Sequence, residues 1–244
     1  MRISIITATF NSCATIESAI VSVLGQSHKD IEHIVIDGAS TDGTLRVIEK
    51  YKSRISKVVS ERDGGLYYAL NKGLALAKGD IIGFLHADDV YAADDVFEKL
   101  TASFVQSHAD AVYGDLAYIK KDGSTLRHWR AGEYDAAALE GGWMPPHPTF
   151  FVKREIYQRY GAFNTDFKIS ADYDLMMRFL YVHKIRATYL PELLVRMRVG
   201  GVSNGSVANV LQKSLEDYRV IRKCALGGVV TLLKKNFSKI PQFF

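Results

Sequence analysis

Four short apolar runs, Arg2 to Thr9, Glu32 to Asp37, Lys57 to Ser60 and Ile81 to Leu85, alternate with segments whose apolar residues recur at helical spacing. Ile16, Ala19, Ile20, Val23 and Leu24 mark one helix, Leu45, Val47, Ile48 and Tyr51 a second, and Leu66, Leu70, Leu74 and Ala77 a third. Strands with so little polar character need cover on both faces. The alternation therefore predicts an α/β chain with a Rossmann-like, mostly parallel central sheet flanked by helices. In such sheets ligands bind beyond the carboxyl ends of the strands.

The second half is less regular. A helix is expected from about Ala93 to Ser107, a strand at Asp110 to Tyr113 and a hairpin through Lys121-Asp122-Gly123. A helix-rich region follows, with Pro145, Pro146 and Pro148 around His147, a helical run from Tyr173 to Tyr181, and a last amphipathic helix from Ser206 to Lys223. Of the net charge of +4, residues 218–244 carry Arg219, Arg222, Lys223, Lys234, Lys235 and Lys239 without an acid, which leaves −2 for the rest. Interleaved with Val229, Leu232 and Phe237, these basic residues suit either an anionic membrane surface or packing on the chain's own core. Basic character confined to this end, with no recognised motif, argues against a nucleic-acid partner.

The chain has room for one sizeable core. Met1 to Ile6 is apolar over too short a run for a secretory signal, and no stretch approaches the ~20 apolar residues that span a bilayer. The expectation is a cytoplasmic protein, peripheral at the inner face of the membrane if the tail docks there. Cys13 and Cys224, at opposite ends of the chain and in no metal-ligand spacing, suit reduced thiols.

Each of the four strands is followed by polar residues suited to a nucleotide diphosphate. After the first, Asn11 or Ser12 serves as a helix cap and Phe10 offers a face for a base. After the second, the Asp37 carboxylate is placed to accept from a base imide or a ribose hydroxyl, although the turn Gly38-Ala39-Ser40-Thr41-Asp42-Gly43 explains the same residues. After the third, Asp63-Gly64-Gly65 permits close backbone approach and feeds the helix bearing Tyr67, Asn71 and Lys72. The fourth is followed by Asp88-Asp89, two adjacent carboxylates that suit a hard divalent cation or, read alone, a helix cap beside a solvated acid. Neither GxGxxG nor GxxxxGK[ST] occurs, which argues against a dinucleotide dehydrogenase and a P-loop ATPase.

These segments resemble glycosyltransferase family 2, inverting enzymes of the GT-A fold. The resemblance rests on Thr9-Phe10-Asn11, on the run from Val35 to Thr44, on the run from Asp63 to Gly73 and on Leu85-His86-Ala87-Asp88-Asp89, and it covers roughly residues 1 to 200. It departs from many relatives at His86, where an Asp or Asn precedes the small residue. The implied division is a GT-A domain over 1–205, with a nucleotide-sugar half (1–90) and an acceptor half (91–205), followed by a helical, basic extension over 206–244. The donor expectation is Thr9, Phe10, Asn11, Asp37, Asp63, Asn71 and Asp88, with Asp88 and Asp89 on Mg2+ or Mn2+.

By the same resemblance Asp172, in Ala171-Asp172-Tyr173-Asp174, is the catalytic base, while His147 and Trp143 belong to the acceptor side, and Arg198 to Ser203 form a closing loop. Residues two apart on a helix point in different directions, so Asp174 should face away. The implied reaction is metal-dependent inverting transfer of a sugar from a nucleotide-diphosphate sugar, a UDP-sugar first, to a hydroxyl of a glycan or lipid-linked acceptor in cell-surface polysaccharide synthesis. The rival readings are a sugar-nucleotide nucleotidyltransferase, which would carry a glycine-rich basic loop after the first strand, and a non-catalytic nucleotide-sugar-binding scaffold.

Overall fold

Strands buried on both faces pair most simply side by side in parallel, with helices returning the chain. The computed structural model, which describes residues 1–200, 207–226 and 228–237, has that arrangement in its first third. Strands β1 (Ile3–Thr9), β2 (Ile31–Asp37), β3 (Lys57–Ser60) and β4 (Ile81–Phe84) lie in the order β3-β2-β1-β4, all parallel. Ile3 of β1 stands opposite Ile31 on one side and Ile81 on the other, and every residue of β1 is buried. Helices α1 (Ile16–Leu24), α2 (Thr44–Glu49) and α3 (Leu66–Leu76) make the crossovers. In α3, a Cβ on Gly73 would collide with Ile6 and lie 3.4 Å from Ile36 Cγ1, so glycine lets this helix settle onto the sheet.

The second half adds β5 (Val90–Tyr91), α4 (Val96–Ser107), β6 (Ala111–Ile119), β7 (Thr125–Trp129), α5 (Ala136–Glu140), a 3-10 turn (His147–Thr149), β8 (Phe151–Lys153) and α6 (Arg154–Tyr160). Then come α7 (Ala171–Met177), a π-helical turn (Arg178–Val182), β9 (Ala187–Arg198), α8 (Val207–Lys223) and α9 (Val229–Phe237). The sheet continues from β4 as β8-β6-β9-β5, with β7 on β6. Here pairing is mixed: β6 and β9 are parallel, whereas β8 runs against both β4 and β6. The expected helix-rich stretch thus contains two strands. Pro191 and register shifts around Asp115 break the alternation that would have marked β9.

The described part of the C-terminal extension packs on the core. Val220, Ile221, Cys224 and Leu226 join the cluster that holds Tyr173, Met176 and Phe179, while Val210, Leu211 and Leu215 stay exposed. No helix among the described residues is long and apolar enough to cross a membrane.

Buried polar residues pin the sheet. Glu32 accepts from Ser4 Oγ (2.5 Å) and the Lys78 N–H (2.7 Å), and His33 Nε2 pairs with Thr7 Oγ1 at 3.1 Å. Burial pushes the His33 imidazole from 6.5 down to about 3, and that of His147 down to about 4. Between these values and 6.5 the unfolded chain binds protons that the folded chain does not, so stability present above pH 6.5 is lost as pH falls through this window. Each histidine should contribute a drop in unfolding free energy on the order of 3 kcal/mol by pH 4, at about 1.4 kcal/mol per pKa unit, and the two together about 6 kcal/mol. Denaturant titrations at stepped pH measure it, and His33→Gln should flatten the slope; an unchanged slope in that variant would refute the assignment.

Candidate functional site

The loops that leave β1, β2, β3 and β4 at their carboxyl ends meet along one wall of a cavity of about 1980 Å³. A drug-sized pocket occupies roughly 300–1,000 Å³, so this one has space for two substrates. The first two loops are tied together by side chains. Asn11, at φ +49°, donates its N–H to Ser40 Oγ (2.8 Å) and accepts from the Thr41 N–H through Oδ1 (2.9 Å). Asp42 accepts from the Cys13 N–H (3.0 Å) and from Thr44, which holds its carboxyl below the usual carboxylate range. Above this frame Phe10 is 64% exposed against Gly38, a flat apolar face open to water. Thr9 Oγ1 is buried with no partner among the described residues, and Thr9 lines the cavity.

Two residues expected to contact the donor are engaged within the protein. Asp37 is wholly buried and does not line the cavity; its carboxylate accepts from the Ser40 N–H (3.0 Å), Ser40 Oγ (2.5 Å) and Ser60 Oγ (2.6 Å). It builds the loop that faces the ligand space. Asn71 is engaged at both ends by Phe163, donating to its carbonyl (2.9 Å) and accepting from its N–H (3.0 Å), so its amide pins α3 to the segment after α6. Asp63 lines the cavity while accepting from the Gly65 N–H at 2.9 Å.

Asp88 and Asp89 both line the cavity just past β4. Asp89 Oδ1 accepts from the Arg198 N–H (3.3 Å), and Oδ2 is buried with no partner among the described residues. Burial, then the Asp88 charge beside it, raises the Asp89 carboxyl well above its usual range. Two adjacent carboxylates, one with a bare buried oxygen, fit a hard divalent cation. Among the described residues no third His, Cys, Asp or Glu completes a ligand set.

Across the cavity stands α7. Its approach is fixed by Glu216 of α8, whose carboxylate accepts the N–H groups of Lys168 (3.0 Å), Ile169 (2.8 Å) and Ser170 (2.9 Å). Tyr67 of α3 donates to the Ile169 carbonyl at 2.6 Å and lies 3.4 Å from Asp172 Oδ1. Asp172 is half-buried, lines the cavity and accepts from the Tyr173 N–H (2.8 Å). Asp174 does face away, fully buried against Arg178 (2.8 Å) and Lys223 (2.9 Å).

His147 lines the cavity between stacked Phe84 and the edge of Phe163, and its lowered pKa keeps the ring neutral at pH 7. His86 lies 6.1 Å from it, ring to ring. Trp143, expected on the acceptor side, is turned inward: its Nε1 donates to the Ala131 carbonyl (3.1 Å), its ring packs on Tyr113 and Tyr134, and it does not line the cavity. Of the expected closing loop, Arg198, Val199 and Gly200 line the cavity; residues 201–203 lie outside the described residues.

Sequence reasoning missed two sets of lining residues. Arg127, stacked 4.8 Å over the Tyr118 ring, comes with Trp129 from the β6–β7 hairpin, and Lys213, Asp217 and Lys235 come from α8 and α9. Only the i, i+4 spacing of Lys213 and Asp217 hinted that α8 carries paired charge.

The sequence profile of Glycosyl transferase family 2 matches residues 4–171, more than half of the chain. The chain belongs to that family. This family-2 glycosyltransferase is 30% identical over 226 residues to the PGL/p-HBAD biosynthesis glycosyltransferase of Mycobacterium bovis, a match covering 87% of this chain and 83% of the relative. Its GT-A fold is shared with S. aureus TarS in complex with UDP-GlcNAc, at a TM-score of 0.76 and 19% identity, over 100% of this chain and 78% of that one. The mannosyltransferase PcManGT from Pyrobaculum calidifontis, in complex with GDP-Man and Mn2+, superposes at a TM-score of 0.65 and 21% identity, over 96% and 69% of the two chains. The chain spans 44% of the longer TarS chain.

Proposed function

We propose that this glycosyltransferase moves a sugar from a nucleotide-diphosphate sugar, a UDP-sugar in the first instance, to a hydroxyl of a glycan or lipid-linked acceptor, with inversion at the anomeric carbon and with a divalent cation. One observation carries the reading: Asp88 and Asp89 lie on the donor-loop wall and Asp172 on α7, all lining one cavity. The acceptor hydroxyl gives its proton to the Asp172 carboxylate as its oxygen bonds to the anomeric carbon. The bond from that carbon to the diphosphate oxygen breaks, and its electron pair leaves with the nucleoside diphosphate. A cation held by Asp88 and Asp89 would supply positive charge where the leaving group becomes more negative.

Phe10 offers the base a stacking face and the Thr9 hydroxyl an unmatched polar atom. Tyr67, whose phenol burial keeps protonated, donates to the Ile169 carbonyl and stands 3.4 Å from Asp172, so it fixes the backbone that carries the carboxylate. The donors carried by the two solved relatives, UDP-GlcNAc and GDP-Man, support a sugar nucleotide here. Titrating the protein calorimetrically with UDP, GDP and dTDP, each with and without Mn2+, tests this. Binding of one nucleotide at least about tenfold tighter with metal, or 1.4 kcal/mol, is expected. No binding to any of them would defeat the reading.

A further inference from the structure

We propose that α8 and α9 carry an acceptor subsite, in which Asp217 and Lys213 clamp two adjacent hydroxyls of a neutral sugar beside Asp172 and Lys235 positions Asp217. The inference rests on the transferase reading above. Lys213, Asp217 and Lys235 line the same cavity as Asp172 and Tyr173, yet lie on the extension that follows the GT-A core elements. Asp217 is 1% exposed. Its Oδ2 takes the Lys235 Nζ at 2.7 Å, and its Oδ1 is buried with no partner among the described residues. A buried acceptor left unmatched is destabilising, so a cavity-lining carboxylate in this state favours a ligand that brings a donor.

Lys235 is built in, not draped across. It is 2% exposed, and its Nζ sits 3.1 Å from the centre of the Tyr173 ring. Burial lowers its pKa from 10.5 to about 8 while Asp217 opposes the shift, so the ammonium persists at neutral pH. Gly142 makes room for this approach. It has φ +84°, and a Cβ there would lie 2.9 Å from the Lys235 Cα, so a side chain would push α9 off the site.

Charge decides the ligand class. Lys213 and Lys235 are balanced by Asp172 and Asp217, so an anionic acceptor group would meet as much repulsion as attraction, whereas a hydroxyl pair meets one acceptor and one donor. Asp217 Oδ1 accepts from one hydroxyl. Lys213, 26% exposed and 3.8 Å from Asp217, donates to its neighbour.

The test uses the full chain with Mn2+ and whichever nucleotide binds, titrated with octyl glucoside, galactoside and mannoside, their monodeoxy analogues, and glucose 6-phosphate. At least one glycoside should bind. Replacing the pair with apolar groups of similar volume, Asp217→Leu with Lys235→Met, should weaken it about tenfold, the cost of stranding its hydroxyl, with nucleotide affinity kept. Asp217→Asn, which keeps the shape, should act in the same direction, and denaturant midpoints confirm that both variants are folded. The deoxy analogue that loses affinity for the wild type should lose none for the double variant. The subsite is overturned if the nucleotide binds but no glycoside does, if the variants bind it as the wild type does, or if glucose 6-phosphate binds tighter than the neutral glycosides. If neither nucleotide nor glycoside binds, the transferase reading falls with it.

Discussion

Asp172→Asn is expected to lower transfer by at least about 100-fold, within the 10²- to 10⁴-fold range typical of general-base catalysis. The substitution leaves the scaffold intact. An asparagine carbonyl still accepts from the Tyr173 N–H and faces Tyr67, and the Glu216 clamp on residues 168–170 does not involve Asp172 at all. What is lost is a carboxylate able to take a proton. The loss should therefore sit in kcat, with nucleotide affinity and the unfolding midpoint unchanged. A product sugar of inverted anomeric configuration, read by NMR from the wild-type reaction, is the companion result. Wild-type turnover in Asp172→Asn would remove Asp172 from the mechanism, and a retained configuration would demand a nucleophile in place of a base.

The parallel half of the sheet was legible because its signals are local: β-branched runs, helical spacing and turn residues all fall within a dozen positions. The same locality limits how far the environments of Asp37 and Asn71 could be read. Asp37 and Asn71 carry the right functional groups for a donor contact, but Asp37 also accepts from Ser40 and from Ser60, 23 residues on, and Asn71 pairs with Phe163, 92 residues on. Residue type shows what an atom can bind, and only the fold shows what reaches it first. Strands β8 and β9 were missed for a related reason. One has three residues and the other is interrupted by Pro191 and an irregular register, so neighbours in space, not alternation in sequence, make them strands. Asp88, Asp89 and Asp172 lie where the motifs placed them, on the cavity wall. Lys235 carried no such signal, because its partner Asp217 is on another helix and its cavity is assembled from both ends of the chain.

Asp174→Ala should cost about 3–5 kcal/mol of folding stability, the usual penalty for stripping one partner from a buried ion pair. Asp174 is 0% exposed and pairs with Arg178 Nε at 2.8 Å and Lys223 Nζ at 2.9 Å. The two cations differ. Lys223, half exposed at the end of α8, can turn into water when released, so its share is small. Arg178 cannot move as freely, because its other nitrogens donate to the carbonyls of Tyr160 (2.7 Å) and Ala162 (2.5 Å). Alanine strands a positive charge there, where α7 passes into the π-helical turn. Asp174→Asn, which keeps an acceptor but not the charge, should fall between wild type and alanine. Denaturant midpoints order the three proteins, and a loss below about 1 kcal/mol for alanine, the worth of an exposed pair, would show that the pair is dispensable. Residues two apart on a helix are separated by about 200°, so one turn of α7 sends Asp172 to the cavity and Asp174 to the core. Substituting the first should then silence a folded enzyme, and substituting the second should leave an enzyme whose activity falls only as it unfolds.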